Sequence, residues 1–119
     1  MGTKRENKRD IGTVYENKAV LLLEEKGYRI LERNFYTYYG EIDIIAKDRD
    51  CLVFVEVKYR KNTKKGYAAE AVTPVKQNRM RQSAGYYLYK KHFQNMEIPC
   101  RFDVVAFDGE EAVHIENAF

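Results

Sequence analysis

From Gly12 onward, apolar side chains recur at helical spacing. Tyr15, Ala19, Leu22 and Leu23 occupy i, i+4, i+7 and i+8, and Gly27 stands where a left-handed residue ends a helix running to about Lys26. The pattern then changes to strands. Tyr28 to Phe35 reads as the first, Glu41 to Ala46 as the second and Leu52 to Tyr59 as the third, with the polar segment Lys47-Asp48-Arg49-Asp50 as a tight connection between the last two. Thr73-Pro74 is an N-cap followed by proline at the first helical position, and it opens a helix predicted to reach about His92. Within that helix Gly85 costs up to about 1 kcal/mol relative to alanine unless close packing requires it. Phe102 to Phe107 reads as a fourth strand and Ala112 to Ile115 as a short fifth. The order αβββαββ describes an α/β fold, a mixed β-sheet flanked by two helices, with the second helix crossing over between strands three and four.

Strands two and three suggest their own register. With the turn centred between Arg49 and Asp50, Ile42 opposes Val57, Ile44 opposes Val55 and Ala46 opposes Val53, which makes one wholly apolar face. On the other face Ile45 meets Phe54, Asp43 meets Glu56 and Glu41 meets Lys58. A slip of one residue would mix apolar and charged positions on both faces. The register sets two carboxylates opposite each other, with Cβ atoms about 4.5–5.5 Å apart, and strand three is apolar on both faces like a central strand. Acids in such a place need neutralisation or a partner. A divalent cation shared by Asp43 and Glu56 reconciles them, and a few hard oxygen ligands completed by water suit Mg²⁺ or Mn²⁺. The alternative is an ordinary cross-strand ion pair between Glu41 and Lys58, with Asp43 or Glu56 reaching solvent at the strand end.

A chain of 119 residues, 45% hydrophobic and 33% charged, fits a single globular domain, 1–119, whose first ten residues are expected to be flexible. No apolar run approaches the roughly 20 residues of a bilayer span, and the charged N-terminus lacks the apolar stretch of a secretory signal. The expected location is the cytoplasm, without membrane association. Cys51 and Cys100 lack a C-x-x-C spacing and have only two histidines to join them, so two reduced thiols are expected rather than a zinc site. The net charge of +3 conceals an asymmetry. Between Lys58 and Asn95 ten lysines and arginines face the lone acid Glu70, interleaved with five tyrosines, while the remainder of the chain is net acidic. That mixture serves phosphate neutralisation and base stacking, or else it is a solvated helix face with tyrosines on its apolar side.

The acids and the lysine resemble the active site of the metal-dependent nuclease superfamily known as PD-(D/E)XK, or restriction-endonuclease-like. There an aspartate on one strand is followed by an acidic-x-lysine triplet on the next, here Asp43 and Glu56-Val57-Lys58. Further segments resemble the YraN family of bacterial proteins: Gly27-Tyr28-Arg29-Ile30-Leu31, Gly40-Glu41-Ile42-Asp43, Phe54 to Lys58, Val72 to Gln77, and Arg101 to Val105. The resemblance covers nearly the whole chain. It departs from the superfamily's name at Ile42, where the proline would stand, which removes no ligand.

The resemblance implies a restriction-endonuclease-like fold and hydrolysis of phosphodiester bonds in DNA, with structure-selective cleavage of junctions or branches favoured over sequence-specific cutting. Asp43 and Glu56 would hold Mg²⁺ or Mn²⁺, with the Val57 carbonyl as a further ligand, and Lys58 would orient water or neutralise the phosphate. Glu16, on a helix stripe with Val20 and Leu23, would be the remaining metal ligand; otherwise it is a first-turn acid favoured by the helix dipole. Arg60, Lys61, Lys76, Gln77 and Arg79 are expected to contact nucleic acid, the latter three from the opening turns of the second helix. Junction cleavage would call for a homodimer. The other reading is a non-catalytic nucleic-acid-binding or accessory protein that retains the fold. A protein-interaction module whose basic stripe meets an acidic partner is a third. Gln82 and Tyr86 match a short Q-x-x-x-Y pattern of related nucleases. Tyr36, Tyr38 and Tyr39 could stack on unpaired bases, although packing on a sheet edge is the commoner fate of such tyrosines. Arg101 and Asp103 are read as structural, and neither His92 nor His114 is assigned a role.

Overall fold

The computed structural model describes residues 8–64, 66–93 and 97–119. The expectation of a flexible N-terminus falls largely on residues 1–7, outside that range, and Lys65 of the basic run is outside it too. Helix α1 (Lys8–Glu25) is closed by Gly27 at φ 92°: its N–H bonds to the Glu24 carbonyl at 2.9 Å, and the Tyr28 N–H reaches back to the Leu23 carbonyl at 3.0 Å. This is the paired C-terminal bonding that a left-handed glycine permits. Strands β1 (Arg29–Thr37), β2 (Gly40–Asp48), β3 (Cys51–Arg60), β4 (Cys100–Asp108) and β5 (Glu111–Ile115) form one five-stranded sheet in sequential order. Only β3 and β4 run parallel. Helix α2 (Pro74–Lys90), preceded by a single 3₁₀ turn at Ala68–Ala71, makes the crossover between them. The order αβββαββ is therefore observed, and the arrangement is compatible with the nuclease-like fold that the resemblance implies.

Two apolar clusters hold the helices to the sheet. Ala19 and Leu23 of α1 pack with Ile44, Ala46, Val53, Val55, Val105 and Phe107 on one face. On the other, Ala84 and Tyr87 of α2 pack with Phe35, Ile45, Leu52 and Phe54. Strand β3 is buried from Leu52 through Glu56, as a central strand should be. A Cβ at Gly85 would meet nothing within 4 Å, so no close packing accounts for that glycine.

The predicted β2–β3 register holds from Ile44–Val55 to Asp48–Cys51, around the two-residue turn Arg49-Asp50. It fails beyond Ile44. The expected pairs Asp43–Glu56, Ile42–Val57 and Glu41–Lys58 do not form, because the ladder ends there. On the opposite side of β2, Arg33 pairs with Ile44 and Phe35 with Ile42, but the intervening Asn34 and Asp43 are unpaired, and Asn34 sits at φ 52°. A left-handed residue inside a strand rotates the pleat as a bulge does. Ile44 consequently packs with the α1 cluster and Ile42, two residues away, with the α2 cluster. Ile42 thus leaves the apolar face assigned to it from its spacing. The sheet breaks at the level of Asp43, and the break positions the site.

Candidate functional site

Released from ladder pairing, Asp43 turns its carboxylate toward β3, where Oδ2 accepts the Val57 N–H at 2.9 Å. One residue earlier, Glu56 is only 2% exposed. Its Oε2 lies 3.2 Å from Lys58 Nζ and 3.2 Å from Lys76 Nζ. Its Oε1 is buried and has no hydrogen-bond partner in the structure. A lone pair left unsatisfied in the interior is costly and calls for an explanation. Both ammonium groups therefore crowd one oxygen of Glu56 and leave the other empty-handed.

The neighbouring elements are fixed for local reasons. Thr73 Oγ1 accepts the Lys76 N–H at 3.3 Å and Pro74 occupies the first helical turn, which sets where α2 begins. Lys76 is thereby carried to Glu56. From α1, Glu16 is largely covered and lies 3.7 Å from Arg33 Nη2, while Arg33 also donates to Asn17 Oδ1 at 2.7 Å. Glu16, Glu41, Asp43 and Glu56 line one open cleft of about 660 Å³ together with Lys58 and Lys76. Tyr15 and Tyr59 also line it, their rings stacked with centroids 4.0 Å apart.

The electrostatics follow from that crowding. Burial, then the charge of Glu56 and more weakly those of Glu16 and Glu41, push Asp43 up to about 8 against the opposing Val57 N–H. Glu16 is raised as well, first by burial and then by Glu41, with Asn34 and Arg33 pulling the other way. A carboxyl whose pKa is raised by burial and by neighbouring acids in a cleft is a mark of sites with a task beyond stability. The donor set fits a hard divalent cation, since the cleft offers several carboxylates, no thiolate and no imidazole. The orphaned Glu56 Oε1 is a free acceptor for such an ion. Among the described residues no three His, Cys, Asp or Glu side chains converge as a ready-made metal site, with Glu56 drawn to its two lysines and Glu16 to Arg33.

The structure thus brings Asp43, Glu56, Lys58 and Glu16 into one cleft and adds Lys76, expected only to contact nucleic acid, as a second cation on Glu56. The Thr73-Pro74 cap fixes where α2 begins, but no local signal sets that helix against Glu56. Gln77 is occupied differently, donating from Nε2 to the Val72 carbonyl at 3.1 Å. Arg60 and Lys61 sit at the end of β3 and line a shallow recess with Asn62 and Lys64. Arg79 and Gln82 line a separate recess with Tyr38 and Tyr39, so the Q-x-x-x-Y pattern is not part of the acid cleft. The three tyrosines before the hairpin differ in exposure: Tyr38 is 97% exposed, Tyr36 68% and Tyr39 41%.

At the far end of the sheet, Arg101 bridges Asp48 at 3.1 Å, Asp103 at 3.0 Å and Glu116 at 3.0 Å, and also contacts the Tyr28 hydroxyl. The fully buried Asp103 further pairs with His114 Nε2 at 2.8 Å and accepts the Asn117 N–H at 2.9 Å. His114, left without a role by its spacing, is a member of this fastening. It ties β5 and the C-terminal turn to β4. Cys51 and Cys100 are free thiols, and no helix of the described residues is long and apolar enough to cross a membrane.

Residues 15–107 match the family model described as Uncharacterised protein family UPF0102, the YraN family. The chain is similar to a UPF0102 protein of Lachnoclostridium phytofermentans, with 48% identity over 113 residues covering 95% of each chain. It is 44% identical over 111 residues to one of Fusobacterium nucleatum, covering 93% of this chain and 92% of that one. A third, from Colwellia psychrerythraea, is 40% identical over 120 residues, covering 98% of this chain and 93% of the relative.

Proposed function

The chain belongs to the UPF0102 (YraN) family, and from that premise we propose that the cleft at the sheet break is the active site of a divalent-metal-dependent endonuclease of the cytoplasm, hydrolysing phosphodiester bonds in DNA with a preference for junctions or branched structures. One observation carries the reading. Glu56, buried in the central strand with one oxygen unpartnered and the other shared by two lysines, faces Asp43 across the break in the ladder. A purely structural ion pair satisfies its carboxylate; this one leaves a buried oxygen without a hydrogen-bond partner, on a residue that lines a cleft with three further acids.

Asp43 and Glu56 would hold Mg²⁺ or Mn²⁺, with Glu16 at the border of the same cleft. When bound, such an ion supplies a more acidic water and charge stabilisation on the scissile phosphate. Lys58 and Lys76 bring two positive charges to the point where a phosphate enters, and each can exchange Glu56 for a phosphate oxygen. Lys58, two residues from Glu56 on the same strand, is the amine that orients the attacking water. Tyr15 and Tyr59 wall the cleft and limit the water around the carboxylates. Lys61, Arg60 and Arg79 flank it and would position the phosphate backbone.

The test is cleavage of supercoiled plasmid and of branched DNA with Mn²⁺ or Mg²⁺. Wild type should cut, and Asp43→Ala, Glu56→Ala and Lys58→Ala should lose at least a hundredfold in rate while still binding DNA. Binding that survives in every variant with no cleavage by wild type would favour the accessory reading, in which fold and basic surface persist without turnover. A salt titration of binding separates both from a protein-interaction module, since phosphate contacts give a steep salt slope.

A further inference from the structure

Resting on the nucleic-acid reading above, we propose that the turn between β1 and β2 is a stacking site for an unpaired nucleobase, so that the substrate is a nucleic acid with at least one unstacked nucleotide beside the bond held in the cleft. The two-residue turn Tyr38-Tyr39 lies between the paired residues Thr37 and Gly40. Such positions usually carry Gly, Asn or Asp, yet here both are tyrosines, and Tyr38 is 97% exposed. The two rings meet edge to face, with centroids 5.6 Å apart. Core packing does not account for Tyr38.

The turn is held rigid. Thr37 Oγ1 donates to the Gly40 carbonyl at 3.1 Å and accepts the Tyr39 N–H at 3.0 Å. It also bonds the hydroxyl of Ser83 at 2.7 Å, and Ser83 is buried on α2. A displayed aromatic on a fixed support offers a π-face at little entropic cost. Arg79 and Gln82 of α2 line the recess beside the rings, and no acidic side chain does so among the described residues. A cation and a neutral amide next to an exposed ring suit a nucleotide, which carries a phosphate and a base edge.

The recess is separate from the acid cleft but its lining residues are close to those of the cleft along the chain. Gly40 lines the first and Glu41 the second, while one turn of α2 separates Arg79 in the first from Lys76 in the second. Along β2, Asp43 is three residues from Gly40, roughly 10 Å at strand rise. A base on Tyr38 therefore belongs to a nucleotide close to the reacting phosphate. Stacking requires that base to be out of a duplex.

The experiment is a metal-free binding titration of the full chain, in EDTA, against a single-stranded oligonucleotide bearing 2-aminopurine and against the same sequence as a duplex. Stacking on wild type should change the 2-aminopurine fluorescence. Tyr38→Ala should weaken single-strand binding about fivefold or more, the low end of a base–aromatic stack, and leave duplex binding within about twofold. Tyr38→Phe should retain wild-type affinity, and Arg79→Ala should weaken both substrates. Equal single-strand affinity of wild type and Tyr38→Ala overturns the stacking site while leaving the nuclease reading intact. Wild type that binds neither strand form overturns both. Because no metal is present, failure of cleavage has no bearing on the result.

Discussion

Replacing Asp43 by asparagine should make the metal-free protein more stable at alkaline pH. Burial and the surrounding acids raise the Asp43 carboxyl from an ordinary 3.8 to about 8. The folded state therefore holds a proton between those values that the unfolded chain has released, and stability falls as pH rises through that window. Below about pH 4 both states are protonated and the penalty vanishes; above about pH 8 it is complete. At 1.36 kcal/mol per pH unit the full penalty is at most about 6 kcal/mol. Asparagine carries no charge and keeps an oxygen for the Val57 N–H, which is now 2.9 Å from the aspartate. Urea unfolding in EDTA, followed by circular dichroism from pH 4 to pH 9, measures the difference. Wild type should lose stability across the range, and Asp43→Asn should lose less and exceed it by about 2 kcal/mol or more at pH 8.5. Adding Mg²⁺ should then stabilise wild type and leave the variant unmoved. Matching pH profiles, or a variant weaker than wild type at pH 8.5, would refute the claim that the cleft burdens the fold with an unneutralised acid.

Three further outcomes bear on the same structure. Lys58→Met and Lys76→Met should each cost about 1 kcal/mol, but the double variant should cost more than the sum, since only then is buried Glu56 left without a cation; urea midpoints check it. Asp103→Ala should cost about 2–5 kcal/mol at pH 7 by leaving buried His114 Nε2 and the Asn117 N–H without their acceptor, while Arg101 keeps Asp48 and Glu116. Burial alone would raise Asp103, but His114, Arg101 and the Asn117 N–H outweigh it and hold its pKa low. Its contribution is present above the ordinary aspartate range and is lost as pH falls through the lowered value, so the variant should show a shallower acid transition than wild type. Gly85→Ala, at an exposed helical site where a Cβ meets nothing, should raise stability by about 0.5–1 kcal/mol, read as a higher melting temperature.

Much of this was legible in the chain. Thr73-Pro74 and Gly27 mark helix ends by mechanisms local to those residues, and the register from Ile44 to Asp48 follows from alternation that tolerates no slip. The acids of the cleft were legible as well, because two carboxylates beside a central strand demand an account. The break was not. It depends on Asn34 adopting a left-handed backbone inside a run that reads as an uninterrupted strand, and asparagine only permits that conformation without requiring it. As a result Asp43 reaches Val57 and Glu56 from the end of a ladder and not from an opposed pair. Lys76 on Glu56 and His114 on Asp103 depend on how α2 and β5 lie across the sheet, a tertiary fact that no local spacing encodes.

The most direct trial of the account is a crystal soaked in Mn²⁺ and measured at a wavelength where manganese scatters anomalously. The account predicts a peak bonded to both Asp43 and Glu56 at the sheet break, with Glu56 Oε1 no longer unpartnered. A cleft without a peak, in which Lys58 and Lys76 still share the same oxygen of Glu56, would contradict it.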